Sequence, residues 1–244
     1  TANKIFVRYC SSDAFVGDSA VFGRQFRGEK IIKALVADLV EFLGLGRTGA
    51  ESETVVLAGS SSGAYGAMAH LDYVLPMLEP VLGPAAGAIV RVVGFLDSPL
   101  QVAMPALPTV DPSRVLAFGD RERRMAASFN VGHLGDACTA TVEHHERWKC
   151  LLALYRLPHV RTPFLLASST FDSVQLGRLL GTAPGTPPRV DNGEMAYALA
   201  FARNLTRSAR EVQAKGAASN VLVSLFLASC FDHAPAGTTQ IFNV

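Results

Sequence analysis

The sequence predicts an α/β fold with a mostly parallel β-sheet and helices on both faces. Short apolar runs that are typical of buried strands alternate with longer segments of helical periodicity. The clearest helical pattern spans residues 29–43, where apolar residues recur every three or four positions on one stripe. Strands connected through helices must run parallel, because each crossover returns the chain to the same edge of the sheet.

The first half of the chain begins with a predicted strand at residues 4–9, which precedes the helix at 29–43. A β-branched strand at 54–58 leads into a serine-rich turn, and a helix is expected from residue 64 to 78. The apolar run at 86–97 predicts a buried strand that ends in Asp97.

The second half opens with an irregular, proline-containing stretch that we interpret as a cap-like insertion around residues 98–150. A strand at 162–168, a helix at 194–214 and a last apolar strand at 220–229 follow. We find no internal repeat or clean linker, and we predict one domain over residues 1–244.

Composition excludes several classes of protein. The 244 residues are 49% apolar with a formal net charge of +1, and long blocks of one charge sign are missing from the sequence. We therefore expect no nucleic-acid partner. The apolar runs are shorter than the ~18 residues that a membrane-spanning helix needs, so no span is expected either.

Two patterns that could indicate a cofactor or a metal do not fit their motifs. "GLGRTG" at residues 44–49 has the letters of a dinucleotide-binding loop, but a helix precedes it and a strand follows it, the reverse of the required order. A histidine- and cysteine-containing group in the irregular stretch matches no ligand spacing, and we interpret its histidines as solvated. The group comprises His133, Asp136, Cys138, His144, His145 and Cys150.

The turn "GSSSG" at residues 59–63 is the strongest indication of chemistry. It lies between a strand and a helix, as a G-x-S-x-G nucleophile turn does, and only Ser61 has glycine two positions away on each side. Side chains at those positions are expected to collide within so tight a turn. The backbone N–H of Ser62 would be one oxyanion donor.

A nucleophilic serine needs a base and an orienting acid, which follow it along the chain in the order acid, then histidine. Of the six histidines, His233 is the one that follows the last apolar strand. Asp172 follows the preceding strand and is the predicted acid. Asp232 is adjacent to His233 and ranks lower, and Asp97 comes early and is interpreted as a structural carboxylate.

Seven ordered motifs resemble the pectin acetylesterase/Notum family: "YCSSDAFVGD", "FRGEKII", "VVLAGSSSGAYG", "VVGFLDS", "ERWKC", "PFLLASSTFD" and "CFDHA". The resemblance implies an α/β-hydrolase fold, secretion, no metal or organic cofactor, and ester hydrolysis through a Ser-Asp-His triad. The family's triad positions match Ser61, Asp172 and His233, which the order along the chain also selects.

The resemblance also implies roles outside the triad. It implies a disulfide between Cys138 and Cys150, whereas Cys10 and Cys230 could bridge each other, pair elsewhere or remain free. Asp13 and Asp97 match acidic positions near the floor of the active site. Phe15, Phe95 and Phe171 are expected in loops, where they line an apolar pocket or pack in the core. Asn204 begins a glycosylation sequon within a predicted helix.

The expected substrate is an acyl ester, either of an acetylated polysaccharide or of a lipid-modified protein. The sequence departs from the family turn at Ala64, and it contains no Gly-Gly-aromatic oxyanion segment before residue 9. We therefore expect the fold to lack its N-terminal strands here, with an upstream segment or a partner chain completing it. The alternative is a non-catalytic family member that serves as a structural or carbohydrate-binding component of an extracellular assembly.

Overall fold

A four-stranded parallel sheet organises the molecule, in a computed structural model that describes residues 2–47, 49, 52–190 and 193–238. The strands are β3 (Glu53–Ser60), β4 (Val90–Asp97), β5 (Phe164–Asp172) and β6 (Val223–Asp232), side by side in the order β3-β4-β5-β6. Every neighbouring pair is parallel. The predicted α/β fold with a mostly parallel sheet is confirmed.

Helices connect and flank these strands. They are α1 (Gly28–Glu41), α2 (Ser62–His70), α3 (Val74–Leu82), α4 (Ala86–Ile89), α5 (Asp120–Ser128), α6 (Asp136–Thr139), α7 (Ala153–Arg156), α8 (Ser173–Leu180), α9 (Glu194–Ala218) and α10 (Pro235–Thr238). Short 3₁₀ helices lie at Leu71–Tyr73, Pro112–Arg114, His144–Leu151 and Leu157–His159. A small antiparallel hairpin, β1 (Ser19–Val21) with β2 (Arg24–Phe26), precedes α1.

The core forms where the helices pack on the sheet. Helix α2 packs against β3 and β4, and α9 packs against β5 and β6. Helix α9 buries a stripe at helical spacing, with Phe201, Leu205 and Val212 almost fully enclosed. Because each strand ends at the same edge, the residues at the ends of β3, β5 and β6 meet in space although they are far apart in sequence.

The prediction of a strand at residues 4–9 is wrong. The structure shows no strand there, and Ile5, Phe6 and Tyr9 are exposed, with Phe6 at 87%. The alternation of these residues suits a strand, but a strand also needs a neighbouring backbone for its hydrogen bonds. Within the described residues, no strand pairs with this segment. The segment therefore does not form a strand, although its residues alternate as those of a strand do.

Several boundaries also differ from the prediction. Residues 86–89 form α4 rather than the start of β4, and the irregular stretch 98–150 holds short helices, including α5 and α6. Strand β5 continues to Asp172, four residues beyond its predicted end. This extension places Phe171 on β5, and Phe95 lies on β4, so neither lies in a loop as expected.

Candidate active site

The turn between β3 and α2 holds Ser61 in a strained conformation. Its φ of 52° and ψ of −118° are rare for a residue with a side chain, and such outliers persist only where the surroundings fix them. One such contact is visible: the Ser61 N–H donates to the Asp97 carbonyl at 2.8 Å. The turn therefore presents the Ser61 hydroxyl at the carboxyl edge of the sheet.

The two glycines that frame Ser61 have different reasons to be glycine. A Cβ at Gly59 would lie 2.1 Å from the Gly63 carbonyl oxygen, so the end of β3 approaches α2 too closely for any side chain. A Cβ at Gly63 would meet nothing within 4 Å. The predicted collision is correct for Gly59 and wrong for Gly63, because the helix turns the latter position away from the strand.

The imidazole of His233 connects Ser61 to Asp172. Its Nε2 lies 2.8 Å from Ser61 Oγ, and its Nδ1 lies 2.8 Å from Asp172 Oδ2. These residues come from three separate strand ends, and 172 positions separate Ser61 from His233 along the chain. The structure thus brings together the three residues that the sequence singles out for catalysis.

Asp172 is fixed before it contacts the histidine. It is 1% exposed, and its Oδ1 accepts hydrogen bonds from the N–H groups of Val174 and Gln175 at the start of α8. This capping role occupies one carboxylate oxygen and leaves Oδ2 for the imidazole. The acid is therefore held rigidly by its own helix.

The electrostatics suit a general base. The hydrogen bond that the Asp172 carboxylate accepts raises the pKa of the His233 imidazole, an effect that partial burial of the ring opposes. A carboxylate accepts from Nδ1–H, so a neutral His233 has its lone pair on Nε2, facing the Ser61 hydroxyl. In this tautomer the imidazole can accept the serine proton.

Ser62, the predicted oxyanion donor, is the first residue of α2. N–H groups in the first turn of a helix have no acceptor within that helix, and the helix dipole favours negative charge at this end. Its position directly after Ser61 suits an oxygen that becomes negative when Ser61 attacks a carbonyl.

The two predicted supporting carboxylates lie in different places. Asp97 ends β4, is 1% exposed, and accepts from the Ser98 hydroxyl at 3.1 Å. Burial raises the pKa of its carboxyl. Asp13 is fully buried and accepts from the N–H groups of Phe15, Gly17 and Gly28. It joins its own loop to the start of α1.

The three phenylalanines have separate surroundings. Phe15 is buried in the core against α2, and Phe95 lies on β4. Phe171 lines an open cleft of about 700 Å³ beside α9. A second cleft, of about 750 Å³, lies at the amino ends of β3, β4 and β5. The residues that line these two clefts do not include the three of the proposed triad.

Two of the four cysteines form a disulfide, and the other two are free thiols. Cys138 and Cys150 form the predicted disulfide. Cys10 is an exposed thiol, and Cys230 is a partly buried thiol whose sulfur lies 3.1 Å from Ser169 Oγ.

Asn204 lies partly exposed on α9. Across the described ranges, no three His, Cys, Asp or Glu side chains group as a metal site, and no helix could span a membrane.

Sequence reasoning missed a second histidine contact, between His70 and His133. His133 was expected to be solvated, but its ring stacks on Tyr73 at 3.9 Å and its Nδ1 lies 2.7 Å from that of His70. The other ring nitrogen of His70 donates to the Phe15 carbonyl at 2.6 Å. His144 and His145 are exposed, as predicted. Nothing in the spacing of His70 and His133 indicates that their rings meet.

The parallel sheet, with a serine turn after one strand and a histidine after the last, places the protein in the α/β-hydrolase class. The comparisons with known proteins narrow this class. The family model described as pectinacetylesterase matches residues 1–243, and the chain belongs to this family.

The chain is similar to two kinds of named esterase. It is 28% identical to palmitoleoyl-protein carboxylesterase NOTUM of Mus musculus and 29% identical to that of Homo sapiens, in each case over 87% of the chain. It is 24% identical to pectin acetylesterase 7 of Arabidopsis thaliana over 79% of the chain. These matches cover 41%, 42% and 44% of the relatives, so the chain spans less than half of their length.

Proposed function

We propose that this protein hydrolyses carboxylic esters by acyl transfer through Ser61, with His233 as the base and Asp172 as the orienting acid. The observation that carries the proposal is the pair of 2.8 Å contacts that His233 makes with the other two residues. Membership in a family whose relatives are named carboxylesterase and pectin acetylesterase supports the same reaction.

The reaction proceeds in two halves. His233 Nε2 removes the proton from Ser61 Oγ as that oxygen attacks the ester carbonyl, and the Ser62 N–H donates to the oxygen that becomes negative. The alcohol leaves with the proton that His233 returns to it, which gives an ester of Ser61. Water, deprotonated by His233, then releases the carboxylic acid and free Ser61.

The substrate is an ester whose acyl group is either acetate, as on a polysaccharide, or a longer chain, as on a protein. A disulfide suits an oxidising compartment and supports a secreted enzyme acting on such substrates. The same mechanism serves both, because the chemistry involves only the carbonyl group and the leaving oxygen.

The proposal is tested by hydrolysis of p-nitrophenyl esters with acetyl to long acyl chains. We expect Ser61→Ala to lower kcat by roughly 10⁴-fold or more, as loss of a catalytic serine does. Ser224→Ala is the control, since Ser224 is an exposed serine at the amino end of β6, the opposite end of the strand from His233. Equal rates for wild type and Ser61→Ala would overturn the proposal, and the preferred chain length assigns the acyl group.

A further inference from the structure

Two consecutive residues at the end of β4, Asp97 and Ser98, contact both the nucleophile turn and the histidine turn. The Asp97 carbonyl accepts from the Ser61 N–H at 2.8 Å. The Ser98 hydroxyl accepts from the N–H of Ala234, the residue after His233, at 3.1 Å. It also donates to Asp97 Oδ1 at 3.1 Å, so the hydroxyl is used in both directions.

Ser98 is held in this place at a cost in backbone conformation. Its φ is 60°, in the left-handed region, which is unfavourable for a residue other than glycine. It is 5% exposed, and its own N–H donates to the Ala167 carbonyl at 2.8 Å. Strands β4 and β5 thus fix the hydroxyl rigidly before it meets the histidine turn.

The contact with Ala234 differs from the hydrogen bond that the His233 N–H makes. The His233 N–H donates to Asp232 Oδ1, but Asp232 is the adjacent residue and moves with the turn. Ser98 belongs to another strand and is joined through Asp97 to Ser61. It therefore sets the position of the histidine backbone relative to the nucleophile, whereas Asp172 orients the ring.

We propose that Ser98 is a positioning residue, whose hydroxyl fixes the peptide after His233 so that the imidazole reaches Ser61. This inference rests on the proposed function of the triad. Without the hydroxyl, the partly buried Ala234 N–H loses its partner and the turn can shift. A shift of about 1 Å in a reacting group can lower a rate by roughly 100-fold.

The test compares Ser98→Gly and Ser98→Ala with wild type. Both variants lack the hydroxyl, but glycine adopts the left-handed conformation without strain, whereas alanine bears the same strain as serine, so the pair separates the hydroxyl from the backbone strain. Asn220→Gly is the control, because Asn220 has a φ of 56° at the amino end of β6, far from the triad. We expect kcat on p-nitrophenyl acetate to fall roughly 10- to 100-fold in both Ser98 variants, with KM nearly unchanged.

A second readout does not depend on hydrolysis. In NMR titrations, the pKa of His233 should be lower in Ser98→Gly than in wild type, because a displaced ring loses part of its bond to Asp172. A merely structural role would lower the melting temperature and leave both kcat and this titration as in wild type, and that result would overturn the inference. If hydrolysis does not depend on Ser61, the proposed function fails, while the titration still decides the role of Ser98.

Discussion

Two histidines of this molecule are held by two ring contacts each, yet their protonation is tuned in opposite directions. His233 lies between Ser61 and the Asp172 carboxylate, and that carboxylate raises its pKa. His70 is fully buried between the Phe15 carbonyl and the His133 ring, and burial lowers its pKa to about 4. Complete burial among uncharged partners lowers the pKa of His70, whereas a charged partner raises that of His233.

The difference follows from burial and from the charge of each partner. Burial disfavours a charged imidazole, and the Phe15 carbonyl adds no full negative charge to compensate, so His70 stays neutral, donating from Nε2 and accepting from His133 at Nδ1. This arrangement fastens the loop that contains Phe15 onto α2. His70 thereby supports the helix that begins beside Ser61, whereas His233 has a lone pair directed at Ser61 itself.

Replacing the Asp172 carboxylate that contacts His233 is expected to have the largest effect on activity. Asp172→Asn keeps an oxygen that can cap α8, but its amide cannot stabilise the imidazolium or enforce the required tautomer. We predict a fall in kcat of roughly 10⁴-fold on p-nitrophenyl acetate with little loss of stability. Steady-state kinetics and a thermal melt on the same preparation measure both quantities.

Asp111→Asn is the matched control for that substitution. The Asp111 side chain likewise accepts a backbone N–H, from Ser113 at the start of a short helix, but lies on the exposed surface. It should leave kcat unchanged. A similar kcat for Asp172→Asn and Asp111→Asn would show that the carboxylate does not make His233 the base.

Lowering the pH should reduce the free energy of unfolding through His70, because burial lowers the pKa of this histidine. Below its usual pKa of 6.5, the unfolded chain binds a proton at this residue, whereas the folded protein does not until about pH 4. The folded pKa is the lower one, so the free energy of unfolding falls as pH drops through this window. The loss reaches about 3 kcal/mol at pH 4, and urea titrations at several pH values measure it.

His70→Gln removes the titrating group and retains an N–H donor for the Phe15 carbonyl. It should flatten the decline in the free energy of unfolding between pH 6.5 and pH 4. His144→Gln, at an exposed position, should keep the decline of wild type. An equally steep decline in His70→Gln would show that this histidine is not the neutral, buried group described above.

The sequence indicated elements and site residues whose patterns are local. Strand–turn–helix context distinguished Ser61 from its neighbours, and the order along the chain selected Asp172 and His233, which the fold brings within hydrogen-bond distance. Residues 4–9 have a strand pattern but no ladder partner among the described residues. Local pattern cannot report whether a neighbouring strand is present.

Contacts between distant segments that belong to no recognised motif could not be predicted from the sequence. The His70–His133 contact depends on how the segment around residue 133 packs on α2, and the role of Ser98 depends on the packing of β4 beside the turn after β6. Gly59 and Gly63 look equivalent in the motif, but only the backbone geometry shows that Gly59 alone of the two has no room for a side chain.

Covalent labelling with a fluorophosphonate, followed by peptide mapping, tests the central claim most directly. This reagent reacts with a serine hydroxyl that an adjacent base activates. We predict one adduct in wild type, on Ser61, and none in Ser61→Ala, while the control Ser224→Ala is labelled as wild type is. An adduct of equal yield that persists in Ser61→Ala, or maps to Ser60 or Ser62, would contradict it.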